Sequence, residues 1–502
     1  LIGPSMIQSM ARARLVSKDA RFIEPQPIGG RLLAALVALA LAGCMPAMAP
    51  APPASTTPVG QCLAKFEALD VQIAGNGVPP SSPRRIEGFP YLRTDRFLAS
   101  FRDDTLSENQ FDAWWWHLAA ADRDARRIER DSLPASVARR FAELESCYAV
   151  MARHDRGQPQ RQALIRANAK VPDEYVTVAQ VIGLYPLTGW AVRAGIARYQ
   201  ASQHARFAVP LEQLPVQGEL RRFHPPESTS EPSQIGLTEV DPLGIPLLSN
   251  GQLDTLFAHH APVWEIDVTG DQDLPGQPIR HADGSPGVDP SEPLVYRYTS
   301  HTRWQGRSLL QLNYLIWFDR RPRVGPLDLL GGPLDGVLWR VTLDTDGAPL
   351  LYDSIHPCGC YHLFLPTDRL RQDPTSLRLP EPPLIPQAAP SPGAGERMVL
   401  RLASGSHYLE RVYADQPSGT YHGWQDYSAL YATPNADNIR SSLFRADGIV
   451  AGTERAERYL LWPTGVLEPG AMRERGRQAI AFLGRRHFDD ADLLDRLFRP
   501  AE

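Results

Sequence analysis

Two histidines and two cysteines crowd into seven residues, His356-Pro357-Cys358-Gly359-Cys360-Tyr361-His362. Imidazole and thiolate are the ligands that zinc and copper prefer, so a transition metal is one chemistry this segment offers. In a straight strand the two imidazoles would stand roughly 20 Å apart, at ~3.3 Å per residue, too far for one ion. Pro357 and Gly359 favour a turn, which brings them closer. His301, in Tyr298-Thr299-Ser300-His301, and His407, in Ser404-Gly405-Ser406-His407, lie in strand-like sequence. Each can supply a third ligand or a general base, and His422 lies in the same region. The metal set is therefore His356, Cys358, Cys360, His362, His301 and His407. A second chemistry competes. Cysteines two apart in a bent chain fall within the roughly 4.4–6.8 Å Cα separation of a disulfide, and oxidised sulfurs bind no metal as thiolates. A third is a nucleophilic thiol at Cys360. Glu265 and Asp267 alternate on one strand face about 6.7 Å apart, the pattern of a solvated face or of an acid/base pair. Asp267, Asp271 and Asp273 carry oxygen ligands for calcium without EF-hand spacing.

The chain that must position these groups has 502 residues, 43% hydrophobic and 22% charged, which is globular composition. Its net charge of -5 gives no electrostatic footprint for nucleic acid. Forty-seven prolines favour loops and strands over long helical bundles. HExxH, CxxC, a phosphate loop and a GxSxG elbow are all missing, which removes those families.

Residues 32–42 form a run of apolar side chains after Arg31, the length of a signal-peptide core and too short to span a bilayer. The run ends in Leu41-Ala42-Gly43-Cys44, which resembles the lipobox of bacterial lipoproteins. The resemblance implies a diacylglyceryl thioether on Cys44, cleavage before it, acylation of the new amino terminus, and the membrane as partner through that anchor. Several acyl chains give stable anchoring where one does not. Met45, where Asp would signal inner-membrane retention, points by the same resemblance to the outer membrane, facing the periplasm. Residues 1–43 thus read as an over-extended start plus signal peptide, and 44–60 as a lipidated cysteine with a Pro/Ala-rich tether. An oxidising compartment and four remaining cysteines suggest two disulfides, Cys62–Cys147 and Cys358–Cys360.

The expected fold class is α+β: a helical N-terminal region, then a β-rich domain, sandwich-like or a curved sheet, with C-terminal helices. Residues 61–208 have helical periodicity. Asn109–Arg130 carries an apolar stripe through Trp114 and Trp115, with Ser107 and Gln110 at capping-box spacing. Of Trp114, Trp115 and Trp116, two should be core and one half-exposed. Ala135–His154 and Val176–Phe207 are further helical stretches, the second broken near Pro186. Residues 209–259 read as a connecting region rich in Pro, Ser, Glu and Gln. From 260 to 502 the period shortens. Strands are expected at 263–268, 294–299, 309–318, 337–343, 350–355 and 398–402, with a hairpin at Asp344–Gly347. Pro469–Leu497 should be helical again, with a new start near Asp489 or Asp490.

Leu309–Phe318, Gly336–Leu343, Ser354–His362, Leu461-Trp462-Pro463 and Gly484–Phe488 together resemble a family of proteobacterial envelope proteins that carries no assigned activity. Gly359-Cys360 is more weakly similar to the Ser-x-Gly-Cys-x-Arg nucleophile pattern of the L,D-transpeptidases, but Ser354 is too distant and Tyr361-His362 replaces the expected pair. Three functional classes follow: a metal-binding or metal-dependent protein centred on 356–362, a non-catalytic envelope scaffold or binding protein with a stapled turn, and a cysteine-nucleophile cell-wall enzyme.

Overall fold

The computed structural model describes residues 56–76, 78–79, 82–226, 235–435 and 440–501. The signal-like run, Cys44 and most of the tether lie outside them. The described residues belong to one unit, 52–502, with an α+β architecture.

Helix α1, Pro58–Gly75, starts where the Thr57 side chain accepts the Gly60 N–H. A short hairpin, β1 (Arg84–Ile86) with β2 (Phe89–Thr94), leads to α2, Glu108–Asp131. The capping box forms as expected: the Gln110 N–H donates to the Ser107 hydroxyl and the Ser107 N–H to the Gln110 side chain. Trp114 and Trp115 are fully buried and Trp116 is half-buried. Both buried indoles spend their N–H on an acceptor, Leu98 O at 2.8 Å and Asp155 at 2.9 Å. The stretch at 135–156 divides into a short helical turn, a 3-10 segment and α3, Glu145–Arg156. Cys147 on α3 is bonded to Cys62 on α1 with 5.4 Å between the Cα atoms. The bridge lies in an apolar cluster with Phe66, Trp115, Tyr148 and Met151. Beside it Arg93 and Arg126 are buried against Asp122 and Glu129.

The helical stretch at 176–207 breaks at Gly183–Leu184, giving α4 (Thr177–Ile182) and α5 (Tyr185–Ala208), with Pro186 in the first turn of the second helix, where its missing N–H costs nothing.

The stretch at 209–259 is more than a connection. It contributes a strand, β3 (Glu219–His224), and a capped helix, α6 (Asn250–His260). Polar composition hid β3 because it lies toward the rim of its sheet, with its first residues exposed.

Two sheets follow. The larger uses β5 (Leu294–Trp304), β6 (Arg307–Arg321), β7 (Gly332–Leu343), β8 (Pro349–Ile355) and β9 (Leu363–Pro366), antiparallel neighbours in that order, closed on the β5 side by the parallel strand Gly423–Asp426. The smaller contains β4 (Val263–Val268) between β3 and a parallel strand, Arg397–Leu402, which is paired in turn with Leu409–Asp415. Trp264, Ile266 and Leu400 of the smaller sheet pack on Leu312, Tyr314 and Trp339 of the larger, so the two lie face to face. The other face of the larger sheet, with Leu315, Trp317, Leu338 and Leu351, is covered by Phe444, Met472, Ile480 and Phe488. Burial on both faces explains the near-continuous apolar run in β6.

The covering segment corrects the expectation of C-terminal helices. Residues 469–497 are mostly turns, bends and irregular chain, and the only regular helix among them is the five-residue Leu493–Leu497. Gly470, Gly476 and Gly484 all have positive φ, which interrupts helix at each.

Candidate functional site

Along β7 alternate residues face opposite cores. Val337, Trp339 and Val341 point between the sheets, and Asp335, two residues before Val337, shares their face. Strand β8 ends at Ile355 and the chain turns. The Gly359 N–H donates to His356 O at 2.8 Å and the His356 N–H to Cys360 O at 3.0 Å. Gly359 at φ 91° adopts the left-handed conformation the turn requires, and an added Cβ there would lie 2.4 Å from Ala479 O. The bend expected from Pro357 and Gly359 is present.

The turn delivers His356 to Asp335. Its Nδ1 lies 2.9 Å from Asp335 Oδ1, which also accepts the Gly336 N–H at 2.9 Å. Asp335 Oδ2 takes His407 Nδ1 at 2.9 Å. The His407 ring stacks on Phe318 with centroids 3.9 Å apart, and its Nε2 stands 3.3 Å from Asp273 Oδ1. Asp273 also accepts the N–H and hydroxyl of Thr269 and the N–H of Gly405. The result is a buried chain, His356–Asp335–His407–Asp273. Burial opposes charge on Asp335, but the two imidazoles outweigh it and hold its carboxyl well below the usual range. Burial likewise opposes the His407 imidazolium, yet Asp273 and Asp335 raise its pKa above the ordinary value.

His362 goes elsewhere. Its Nε2 is 2.8 Å from Asp353, which forms a two-bond ion pair with Arg340 at 2.9 and 2.5 Å. Arg340 lies over the Phe488 ring and His362 packs on Phe364, both in the core on the other side of the larger sheet. Burial pushes the His362 pKa down to about 4, outweighing the upward pull of Asp353.

The six expected metal ligands therefore do not share a site. His356 and His407 meet through Asp335, and His362 faces the opposite side. His301 lies on β5 against Phe97, ring centroids 5.2 Å apart, with its pKa lowered to about 4 by burial. Among the described residues, no group of three or more His, Cys, Asp or Glu side chains is arranged to hold a metal ion. His356 and His407 each turn Nδ1 to Asp335, His362 turns Nε2 to Asp353, and His301 packs on Phe97.

The expected Cys358–Cys360 bridge is also corrected: both are thiols. The turn directs Cys358 into the core beside Ile355 and Ile480, and its sulfur accepts the Cys360 N–H at 3.4 Å. Contact with Cys358, then burial, pushes the Cys360 thiol well up, the reverse of what an activated nucleophile needs. Glu265 and Asp267 are buried, not on a solvated face. Glu265 is paired with Arg222 and Arg401, and Asp267 accepts the N–H groups of Gln217 and Gly218, which leaves neither for acid/base work.

On the solvent side of His356 lie Tyr361 and Tyr408, ring centroids 4.9 and 5.8 Å from the imidazole. Arg321 donates to the Tyr408 hydroxyl at 3.1 Å and reaches Tyr361 at 3.5 Å. These tyrosines form part of the wall of a cleft of about 660 Å³. Ala191, Gly195 and Tyr199 of α5 make another side, with Leu384, Leu461 and Ile480 completing an apolar lining. The volume is that of a small-molecule site. Glu457 stands in the wall, its carboxyl pushed up to about 7 by burial against the opposing pull of Arg321 and Arg455. Cys360 and His362 border the same cleft. The sequence points to Asp273 only as a calcium ligand and does not single out Asp335, Tyr408, Arg321 or Glu457 as site residues. The one available signal was a carboxylate inside an apolar strand, Leu334-Asp335-Gly336-Val337.

Comparison with protein-family models, with curated proteins and with solved structures found no match to this chain.

Proposed function

We propose that this chain is a lipid-anchored, periplasm-facing envelope protein whose body binds a predominantly apolar small molecule in the cleft. The observation that carries the reading is the cleft itself: about 660 Å³, walled mainly by aliphatic and aromatic side chains, with few polar groups turned inward. Tyr361, Tyr408 and Glu457 supply hydrogen bonds for a polar end group. The His356–Asp335–His407–Asp273 chain supports the tyrosine wall from behind as a buried polar network. The anchor rests on the Leu41-Ala42-Gly43-Cys44 sequence.

Gly195 offers a clean test. It lines the cleft, and an added Cβ meets nothing within 4 Å. Gly195→Phe should fill the space without disturbing the fold. The expected result is at least tenfold weaker binding of an apolar fluorescent probe with an unchanged melting temperature. Unchanged probe affinity in that variant overturns the reading.

A further inference from the structure

The mouth of the cleft is framed by apolar side chains in water. On α4 and the start of α5, Val181, Ile182, Leu187 and Trp190 are 69, 69, 71 and 80% exposed. Residues 176–192 contain no Asp, Glu, Lys or Arg, and neither do residues 459–467. The two segments are joined: the Val176 N–H donates to Gly465 O at 2.7 Å and the Gln180 side chain to Thr464 O at 2.8 Å. The second segment adds exposed Tyr459, Leu460 and Trp462. The loop between β6 and β7 joins at Leu329, whose carbonyl accepts the Glu457 N–H, and carries Val324 and Leu327, each about nine-tenths exposed. Thr188, Leu330, Leu460 and Pro463 interleave with these residues and line the cleft, so the exposed surface and the cavity are continuous.

We propose that this face rests on an anionic phospholipid surface, with the cleft opening at the level of the lipids. Three observations favour a bilayer as the occupant. Trp190, Trp462 and Tyr459 are the side chains enriched at membrane interfaces. Arg193, three residues beyond Trp190, and Arg323, next to Val324, are exposed cations at the patch, complementary to anionic headgroups. Only eleven residues separate Cys44 from Thr56, a reach of at most roughly 40 Å, so an anchored body stays beside the membrane. No helix among the described residues is long and apolar enough to cross a membrane, so the contact is interfacial. The inference rests on the proposed binding role for its purpose: an apolar ligand passes between bilayer and cleft without crossing water.

The test uses the full chain carrying Cys44→Ala, so that no acyl chain contributes. Sedimentation with phosphatidylethanolamine/phosphatidylglycerol vesicles should show association that exceeds that with phosphatidylcholine alone, with a blue shift of tryptophan emission. The double variant Leu187→Asp/Trp190→Ser should lose at least tenfold in vesicle affinity. Val71→Asp, at an exposed apolar position on α1, should lose none. Absence of vesicle association overturns the proposal. So does a dimer in light scattering that the double variant converts to monomer, because a second copy would then cover the face. Probe binding in the Gly195→Phe variant reports on the cleft separately, so failure of one reading is distinguishable from failure of the other.

Discussion

Asp335→Asn keeps the size of the side chain and removes one charge from the centre of the buried chain of groups. Asp335 is 1% exposed and takes three hydrogen bonds, from Gly336, His356 and His407, each at 2.9 Å. Asparagine has one oxygen, and its amide N–H groups must face at least one of those donors. Losing a hydrogen bond to a charged group costs about 1.5–3 kcal/mol. His407 also keeps only Asp273 as counter-charge, and breaking a buried pair costs about 3–5 kcal/mol. The expected loss is about 3 kcal/mol, read from urea denaturation. The pH dependence is specific. The folded pKa of His407 is raised, so its stabilisation is complete below the unfolded value of about 6.5 and is lost as pH rises through the folded value. The folded pKa of Asp335 is depressed, so its stabilisation is complete above about 3.8 and is lost as pH falls through the folded value. The gap between wild type and variant should therefore be widest between about pH 4 and 6.5 and narrow on either side. A loss under about 1 kcal/mol at pH 5, or an equal loss at pH 5 and pH 9, would refute the reasoning.

Replacing both Cys62 and Cys147 by Ala opens a link across a sequence separation of 85 and should cost about 2–5 kcal/mol, seen as a lower denaturation midpoint; an unchanged midpoint contradicts it. Alkylation and non-reducing peptide mapping should find Cys62 joined to Cys147 and both Cys358 and Cys360 alkylated. Glu457→Gln should flatten the pH dependence of probe binding: in the wild type, affinity for a neutral apolar probe falls as pH rises through about 7, where the carboxylate charges. Cys44→Ala should abolish acylation and detergent partitioning, and mass spectrometry finding an unmodified Cys44 in the mature wild type would defeat the anchor.

Local pattern carried the elements whose residues interact within a few positions. The Ser107–Gln110 cap, the alternation at 263–268, the apolar run at 309–318 and the turn at Pro357–Gly359 are all decided by neighbours along the chain, and all are visible in the sequence. Cys62–Cys147 was within reach because both cysteines lie on apolar helix faces with few partners to choose from. The form of the C-terminal segment is not legible in the sequence because its apolar residues serve one large core from successive turns, and burial without regular structure has no period. Strand β3 is hidden in the sequence because an exposed stretch near a sheet rim looks like a linker. The site depended on register. His356 and His362 are six residues apart, and only the pairing of β7 with β8 turns one toward Asp335 and the other toward Asp353 on the opposite face. His407 reaches Asp335 across 72 residues, and the cleft gathers side chains from Thr188 to Arg486. Sequence alone determined which reactive groups the chain carries and where it bends. Which of them meet was decided by the stacking of two sheets, because the free energy that fixes that packing comes from contacts far apart along the chain.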